Sequence, residues 1–256
     1  MDRCGELGRL QKSKRFFIIL TIKMKQILNK KEQFFAFIPA RKGSLGVKNK
    51  NVIKINNKHL IEYTLQQASK SKIIDQIYVS SNDDRVLKIT KKYKKIHFIK
   101  RKDALSSSKV LMKDVILNFI NFIKKSFNLE KINLIILQPT SPQRKAIDID
   151  NAIRLFKKKN YYPLLSFSEP ISSPNNVVYL IKKKLFPFKK SFTSKNRQDY
   201  KKSLYINGSI YIVNAKKYFK DPHLLTKYST VYEMDKKHSI QIDDYFDLKL
   251  IKNFIK

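Results

Sequence analysis

The sequence predicts an α/β fold built on a mainly parallel sheet, and three observations carry that expectation. Short β-type apolar runs alternate with longer segments of helical periodicity from Phe34 onward. That is the pattern of strand–helix–strand units whose helices cover a parallel sheet. The run Phe34–Ile38 ends at Pro39 and opens at once into a loop carrying Arg41, Gly43, Ser44, Gly46, Lys48 and Lys50. Such a junction suits an anion: glycines let backbone N–H groups approach it, and the cations neutralise it. The length, 256 residues at 42% hydrophobic, suffices for one core, or for one domain with a small appendage.

In chain order, residues 1–33 are expected to be an appendage, with Met24 as an alternative start, and 34–256 the folded domain. Strands are expected at Phe34–Ile38, Ile77–Ser80, His97–Ile99, Ile132–Leu137, Leu164–Phe167 and Ser209–Val213, and helices near 59–71, 83–93, 108–127, 145–158 and 245–254. In the 145–158 segment Ile149, Ala152, Ile153 and Phe156 recur at helical spacing, and Leu111, Val115, Phe119 and Ile123 do so along 108–127. Ligands of parallel sheets bind beyond the carboxyl ends of the strands. The loops after Ile38, Ser80, Ile99, Leu137 and Val213 are therefore the ones of interest. Residues 168–206 break the rhythm with Pro170, Pro174, Pro187 and Lys182–Lys184. They are expected to form an inserted β-type excursion that serves as a dimerisation arm, the plainer alternative being a long surface loop.

Composition removes several function classes. The lone Cys4 allows no disulfide within the chain and no Cys-based zinc site, and His59, His97, His223 and His238 lack metal-ligand spacing. This suits a reducing, cytoplasmic setting. No apolar run is long enough to span a membrane, and Phe16–Ile22 is too short for a signal sequence and lacks a small-residue cleavage site. The formal net charge of +35 invites a nucleic-acid reading. The excess is mostly Lys, dispersed in twos and threes, as a lysine-rich proteome would give, so no specific nucleic-acid partner is expected.

Neither GxxxxGK[ST] nor GxGxxG occurs at the first loop. The segments IPARKGSLGVKNKN (38–51), HLIEYTLQQA (59–68), YVSSNDD (78–84), LQPTSPQR (137–144), NGSIYIV (207–213) and SIQIDDYFDL (239–248) do occur, in this order. Together they resemble the acylneuraminate cytidylyltransferase family, which includes the CMP-sialic acid synthetases, over residues 34–256. The resemblance implies a nucleotide-diphospho-sugar-transferase-like, three-layer Rossmann-type α/β fold with an inserted dimerisation arm, acting as a homodimer. It implies that CMP passes from CTP to the anomeric hydroxyl of a nonulosonic acid, with Mg²⁺, releasing pyrophosphate. Such chemistry needs positioning and charge neutralisation more than a protein nucleophile.

By the same resemblance Arg41 and Lys50 are catalytic, Arg41 on the triphosphate and Lys50 beside the phosphate under attack. Gly43, Ser44, Asn51 and Ser81 join Arg41 in binding the nucleotide, Arg101 stands beside the cytosine pocket, where a rigid donor can read the base edge, and Gln138, Ser141, Arg144, Arg197, Gln198 and Asn207 bind the sugar. Asp243 and Gln241 bind the metal. Two side chains at i and i+2 of a strand share a face, so both could reach one Mg²⁺. As alternatives, Ser141 lies near a helix cap, Asn207-Gly208 is a turn, and Asp243 is a helix N-cap.

The sequence departs from the family pattern at Leu45, where a loop Lys is usual, at Gln241, where the first metal Asp is usual, and at Asn82 and Ser108, often Asp. Lys42 or Lys48 could stand in for the missing Lys. Tyr205 lies near a position where sialic-acid-specific relatives carry Arg. The departures motivate an alternative reading as a catalytically impaired descendant that binds nucleotide without turnover.

Overall fold

The computed structural model describes residues 31–188 and 201–255. Its strands are β1 (Gln33–Pro39), β2 (Lys54–Ile55), β3 (Lys58–His59), β4 (Gln76–Ser81), β5 (Ile96–Lys100), β6 (Ile132–Ile136), β7 (Leu164–Ser168), β8 (Val178–Ile181), β9 (Lys184–Pro187), β10 (Tyr205–Asn214) and β11 (Thr230–Glu233). Its helices are α1 (Leu60–Lys70), α2 (Asp84–Thr90), α3 (Met112–Ile123), α4 (Ala146–Lys158), α5 (Ala215–Lys220) and α6 (Tyr245–Phe254). Seven strands form one sheet in the order β11-β7-β10-β6-β1-β4-β5. Every pairing in it is parallel except those of β10, which runs against both β6 and β7. Two small hairpins, β2-β3 and β8-β9, stand apart.

Strand β1 reads as an unbroken apolar run because both of its faces are covered. Phe34, Ala36 and Ile38 enter one core with Ile61 and Leu65 of α1 and Ile149, Ala152, Ile153 and Phe156 of α4. Phe35 and Phe37 alternate into the other, with Val115, Ile116, Phe119, Ile120 and Ile123 of α3. There the Phe37 and Phe119 rings stack with centroids 4.4 Å apart. A third, smaller cluster joins Val47, Ile55 and Leu60 to Ile242, Leu248 and Ile251 of α6, and so anchors the first loop to the C-terminal segment. None of the described helices is long and apolar enough to cross a membrane.

Several expectations are corrected. The folded unit begins earlier than residue 34: β1 starts at Gln33, and the Tyr161 hydroxyl donates to Glu32 at 2.6 Å. The buried stripe of α3 excludes Leu111, which precedes the helix as its exposed N-cap. The loop after Val213 lies at the opposite sheet edge from the loops after β1, β4, β5 and β6, because β10 is antiparallel. Asn207 and Gly208 do not precede a strand; they lie within β10, where its register against β7 shifts between Ile206 and Tyr211. Gly208 takes φ +70 at this bulge. The 168–206 insertion contains the exposed β8-β9 hairpin. Arg197 and Gln198 lie outside the described residues.

Candidate functional site

The parallel strands β1, β4, β5 and β6 end at one edge, where the loops after β1, β5 and β6 line a cleft of about 320 Å³. Arg41, Ser44, Lys50, Asn51, Arg101, Gln138 and Asp243 line it.

The first loop is held from several sides. Gly43 adopts φ +76, and its carbonyl accepts from Arg41 Nη1 at 3.0 Å. Asn51 Nδ2 donates to the Arg41 carbonyl at 2.9 Å, so this predicted nucleotide contact also closes the loop on itself. Gly46 is required by contact: an added Cβ would lie 1.9 Å from the Asp243 carbonyl oxygen. Asn49, at φ 57, sets Lys50 on a short 3₁₀ turn. Its Oδ1 accepts from Arg85 Nη2 at 2.8 Å. Arg85 also grips Asp83, whose carboxyl it holds below the usual carboxylate range and which caps α2.

Lys50 is buried and turns toward the C-terminal segment. Its Nζ donates to the Ile242 carbonyl at 2.7 Å and lies 3.5 Å from Asp243 Oδ1. The Ile242 N–H in turn donates to the Thr140 carbonyl at 2.9 Å. One short stretch thus joins the loop after β1 to the loop after β6.

Arg101 is buried at the mouth of the cleft and donates to Ser80 Oγ at 3.1 Å and the Ser80 carbonyl at 2.8 Å. Its pKa is pulled down to about 10, first by burial and then by the charge of Arg41. Among the described residues neither guanidinium is ion-paired with a carboxylate. Two adjacent cations without a counter-charge suit an anionic ligand. Ser80, not the predicted Ser81, holds Arg101; Ser81 is fully buried and its Oγ accepts from the Asp83 N–H at 3.0 Å. Arg85 chiefly lowers the Asp83 carboxyl and Lys100 the Asp84 carboxyl, with a smaller contribution to both from the charge of Lys42. Asn82 bridges loops, accepting from the Lys42 N–H at 2.8 Å and donating to Asp103 at 3.0 Å. Leu45 is 83% exposed along the cleft wall.

On the β6 side the predicted residues separate. Gln138 lines the cleft. Ser141 and Arg144 face the interior: Ser209 Oγ donates to Ser141 Oγ at 3.1 Å, and Arg144 reaches the Ser209 and Gln138 carbonyls and Thr64 Oγ1. Burial lowers the Arg144 pKa, against the pull of Asp148. Lys145, not Ser141, is the N-cap of α4. The Asn207 side chain is likewise internal, accepting from Ser166 Oγ at 2.6 Å and donating to Ser168 Oγ at 2.8 Å.

Residues 239–244 form no ladder strand. Asp244 is the N-cap of α6, paired with Asp247 in a reciprocal capping box, which leaves Asp243 free of that duty. The Asp243 side chain is 73% exposed at the cleft. Gln241 does not share its direction, because its amide donates to the Asn207 carbonyl. No group of three or more His, Cys, Asp or Glu that could hold a metal occurs among the described residues. One exposed carboxylate in a cleft that suits an anionic ligand fits a cation shared with that ligand's phosphates, since Mg²⁺ commonly takes only one or two carboxylates.

Sequence reasoning missed Met112 and Thr140 in the lining and Ser80 beneath Arg101; the Thr140 hydroxyl is buried without a hydrogen-bond partner. The two adjacent serines of β4 gave the one available signal, since period-two alternation sends only one of them toward Arg101. A second cleft of about 360 Å³, with Lys31, Glu130, Asn214 and Lys217 in its wall, opens at the opposite sheet edge, away from all these groups.

Comparison with known proteins agrees with this geometry. The cytidylyltransferase family profile matches residues 35–253. The N-acylneuraminate cytidylyltransferase of Escherichia coli O18:K1:H7 is 28% identical over 85% of the chain and 51% of its own length, so the chain spans about half of that relative. The CMP-N,N'-diacetyllegionaminic acid synthase of Campylobacter jejuni is 30% identical over 85% of the chain and 93% of its own length. The Campylobacter coli protein named post-translational flagellin modification protein B is 30% identical over 86% and 93%. In fold, the chain resembles CMP:2-keto-3-deoxy-manno-octonic acid synthetase complexed with CTP, at TM-score 0.64 and 15% identity, over 88% of this chain and 98% of that one. The profile covers the sheet, its helices and every loop of the cleft: the chain belongs to the cytidylyltransferase family.

Proposed function

We propose that the chain transfers CMP from CTP to the anomeric hydroxyl of a nonulosonic acid of the sialic, legionaminic or pseudaminic type, releasing pyrophosphate and supplying an activated sugar for surface glycans. The observation that carries this reading is the adjacent Arg41 and Arg101, without a carboxylate partner among the described residues, at the carboxyl edge of a parallel sheet. A triphosphate supplies the missing negative charge. Relatives named for sialic, legionaminic and pseudaminic acids support the sugar class.

In the proposed reaction the sugar hydroxyl oxygen bonds to the α-phosphorus, the bond from that phosphorus to the bridging β-phosphate oxygen breaks, and the hydroxyl proton leaves to solvent. Arg41 and Arg101 bind phosphate oxygens, with Gly43 and Ser44 around them and Asn51 holding the loop closed. Lys50, oriented by the Ile242 carbonyl, presents a cation where charge develops. Asp243, together with the substrate's phosphates, would hold Mg²⁺, which supplies further charge neutralisation. Gln138 is the residue of the β6 loop open to the sugar.

Pyrophosphate release from CTP, Mg²⁺ and a panel of nonulosonic acids tests the proposal. Sugar-dependent release that is lost in Lys50→Ala supports it. CTP binding without release from any sugar favours the impaired-descendant reading, which the apolar Leu45 in the cleft motivates.

We extend the proposal to a cytoplasmic homodimer. The β8-β9 hairpin exposes Val178, Leu180, Leu185 and Phe186, and exposed apolar side chains clustered on one element commonly mark an interaction surface. Sedimentation as a monomer at micromolar concentration would count against it.

A further inference from the structure

We infer that Gln241 is a positioning residue that locks the β10 bulge, and that the metal dependence of the site does not pass through it. The inference rests on the proposed reaction only for its metal and kinetic readouts.

Two hydrogen-bond routes and one close approach converge on the bulge. The Gln241 amide donates to the main-chain carbonyl of Asn207. Gly208, beside that carbonyl, lies so close that a Cβ there would fall on the Gln241 amide nitrogen, 2.0 Å away. Two residues upstream, Ser239 Oγ accepts from Ser168 Oγ at 2.7 Å, and Ser168 Oγ accepts from Asn207 Nδ2. The 239–241 segment therefore holds Asn207 by its main chain and by its side chain. A main-chain carbonyl accepts hydrogen bonds and donates none. The residue facing it must be a donor, which an amide is and an ionised carboxylate is not. A carboxylate at this position would leave the Asn207 carbonyl unpaired or meet it acceptor to acceptor.

The lock has a consequence for the cleft. Directly after Gln241, the Ile242 N–H is fixed to the Thr140 carbonyl and its carbonyl to Lys50 Nζ. Holding residue 241 against the bulge sets the register in which Lys50 and Asp243 meet.

Gln241→Met keeps the length of the side chain and removes the donor without adding charge. Gln241→Glu keeps the length and adds a carboxylate. The full chain is melted without CTP or metal, and CTP binding is then followed by calorimetry across a Mg²⁺ titration. The lock predicts that Gln241→Met lowers the metal-free Tm by at least about 3 °C, leaves the Mg²⁺ half-saturation point within about twofold of the natural chain's, and lowers kcat more than it raises KM for CTP. Gln241→Glu lowers Tm further and does not tighten the Mg²⁺ dependence; if it fails to fold, Gln241→Met alone decides. An unchanged melt of Gln241→Met overturns the inference. So does a shift of about fivefold or more in Mg²⁺ half-saturation, weaker in Gln241→Met or tighter in Gln241→Glu. If the natural chain binds no CTP, the proposed reaction fails while the metal-free melts still test the lock.

Discussion

The two halves of the sheet edge each hold a buried arginine, and the two are used in opposite ways. The Arg101 side chain, on the β5-β4-β1 side, donates only to Ser80, through Nε and Nη2, and lies beside the charge of Arg41 in the cleft wall. Arg144, on the β6-β10-β7 side, is wholly enclosed and ties Gln138, Ser209 and Thr64 together. An arginine in a nucleotide-binding family therefore has no role by identity alone. A guanidinium that opens on the cleft beside a second cation suits a ligand contact, whereas one enclosed among internal carbonyls and a hydroxyl serves as a brace, even with its Nε left unpartnered.

This contrast can be broken by three measurements. Arg144→Met strips two carbonyls and a hydroxyl of their donor, so urea unfolding is expected to show a loss of about 3 kcal/mol. CTP affinity should move by less than about threefold. Weakened CTP binding with unchanged stability would instead move Arg144 into the cleft group. Arg101→Met should do the reverse, weakening CTP binding by about 100-fold, or about 2–3 kcal/mol, with a stability change under about 1 kcal/mol by the same unfolding experiment.

The third measurement sharpens the contrast on the Arg101 side, where an acidic anchor supports the first loop. Asp83→Ala removes the α2 cap and the grip on Arg85, at a cost of about 1 kcal/mol near neutral pH. Arg85 lowers the Asp83 carboxyl from its ordinary value of 3.8, so this stabilisation is present above about pH 4. It is lost as pH falls through the lower folded-state value. Acid unfolding curves of the two proteins should therefore converge below that point; a gap independent of pH would remove the charge from the explanation.

Much of the fold was legible because buried parallel strands carry unbroken apolar runs, as β1 and β6 do, and because α4 repeats its core residues at helical spacing. β11 escaped notice because it is a short edge strand with Val231 and Glu233 exposed, so burial leaves little pattern in its sequence. The sense of β10 was not legible either. Residue pattern gives a strand's faces, whereas its direction depends on pairing partners far along the chain. The loop Phe34–Asn51 announced its chemistry through residue types. What it could not announce was the company each side chain keeps: Lys50 against Ile242, Ser80 rather than Ser81 under Arg101, and an arginine at 144 turned inward.

The single reversed strand has a consequence for how such a protein can change. Because β10 begins where its parallel neighbours end, chain inserted ahead of it emerges beside the cleft without passing through either hydrophobic layer. The connection between β7 and β10 can thus change in length or sequence while the strands that lead to Arg41 and Arg101 keep their packing. A single insertion point can in this way be edited while the sheet beneath it stays as it is.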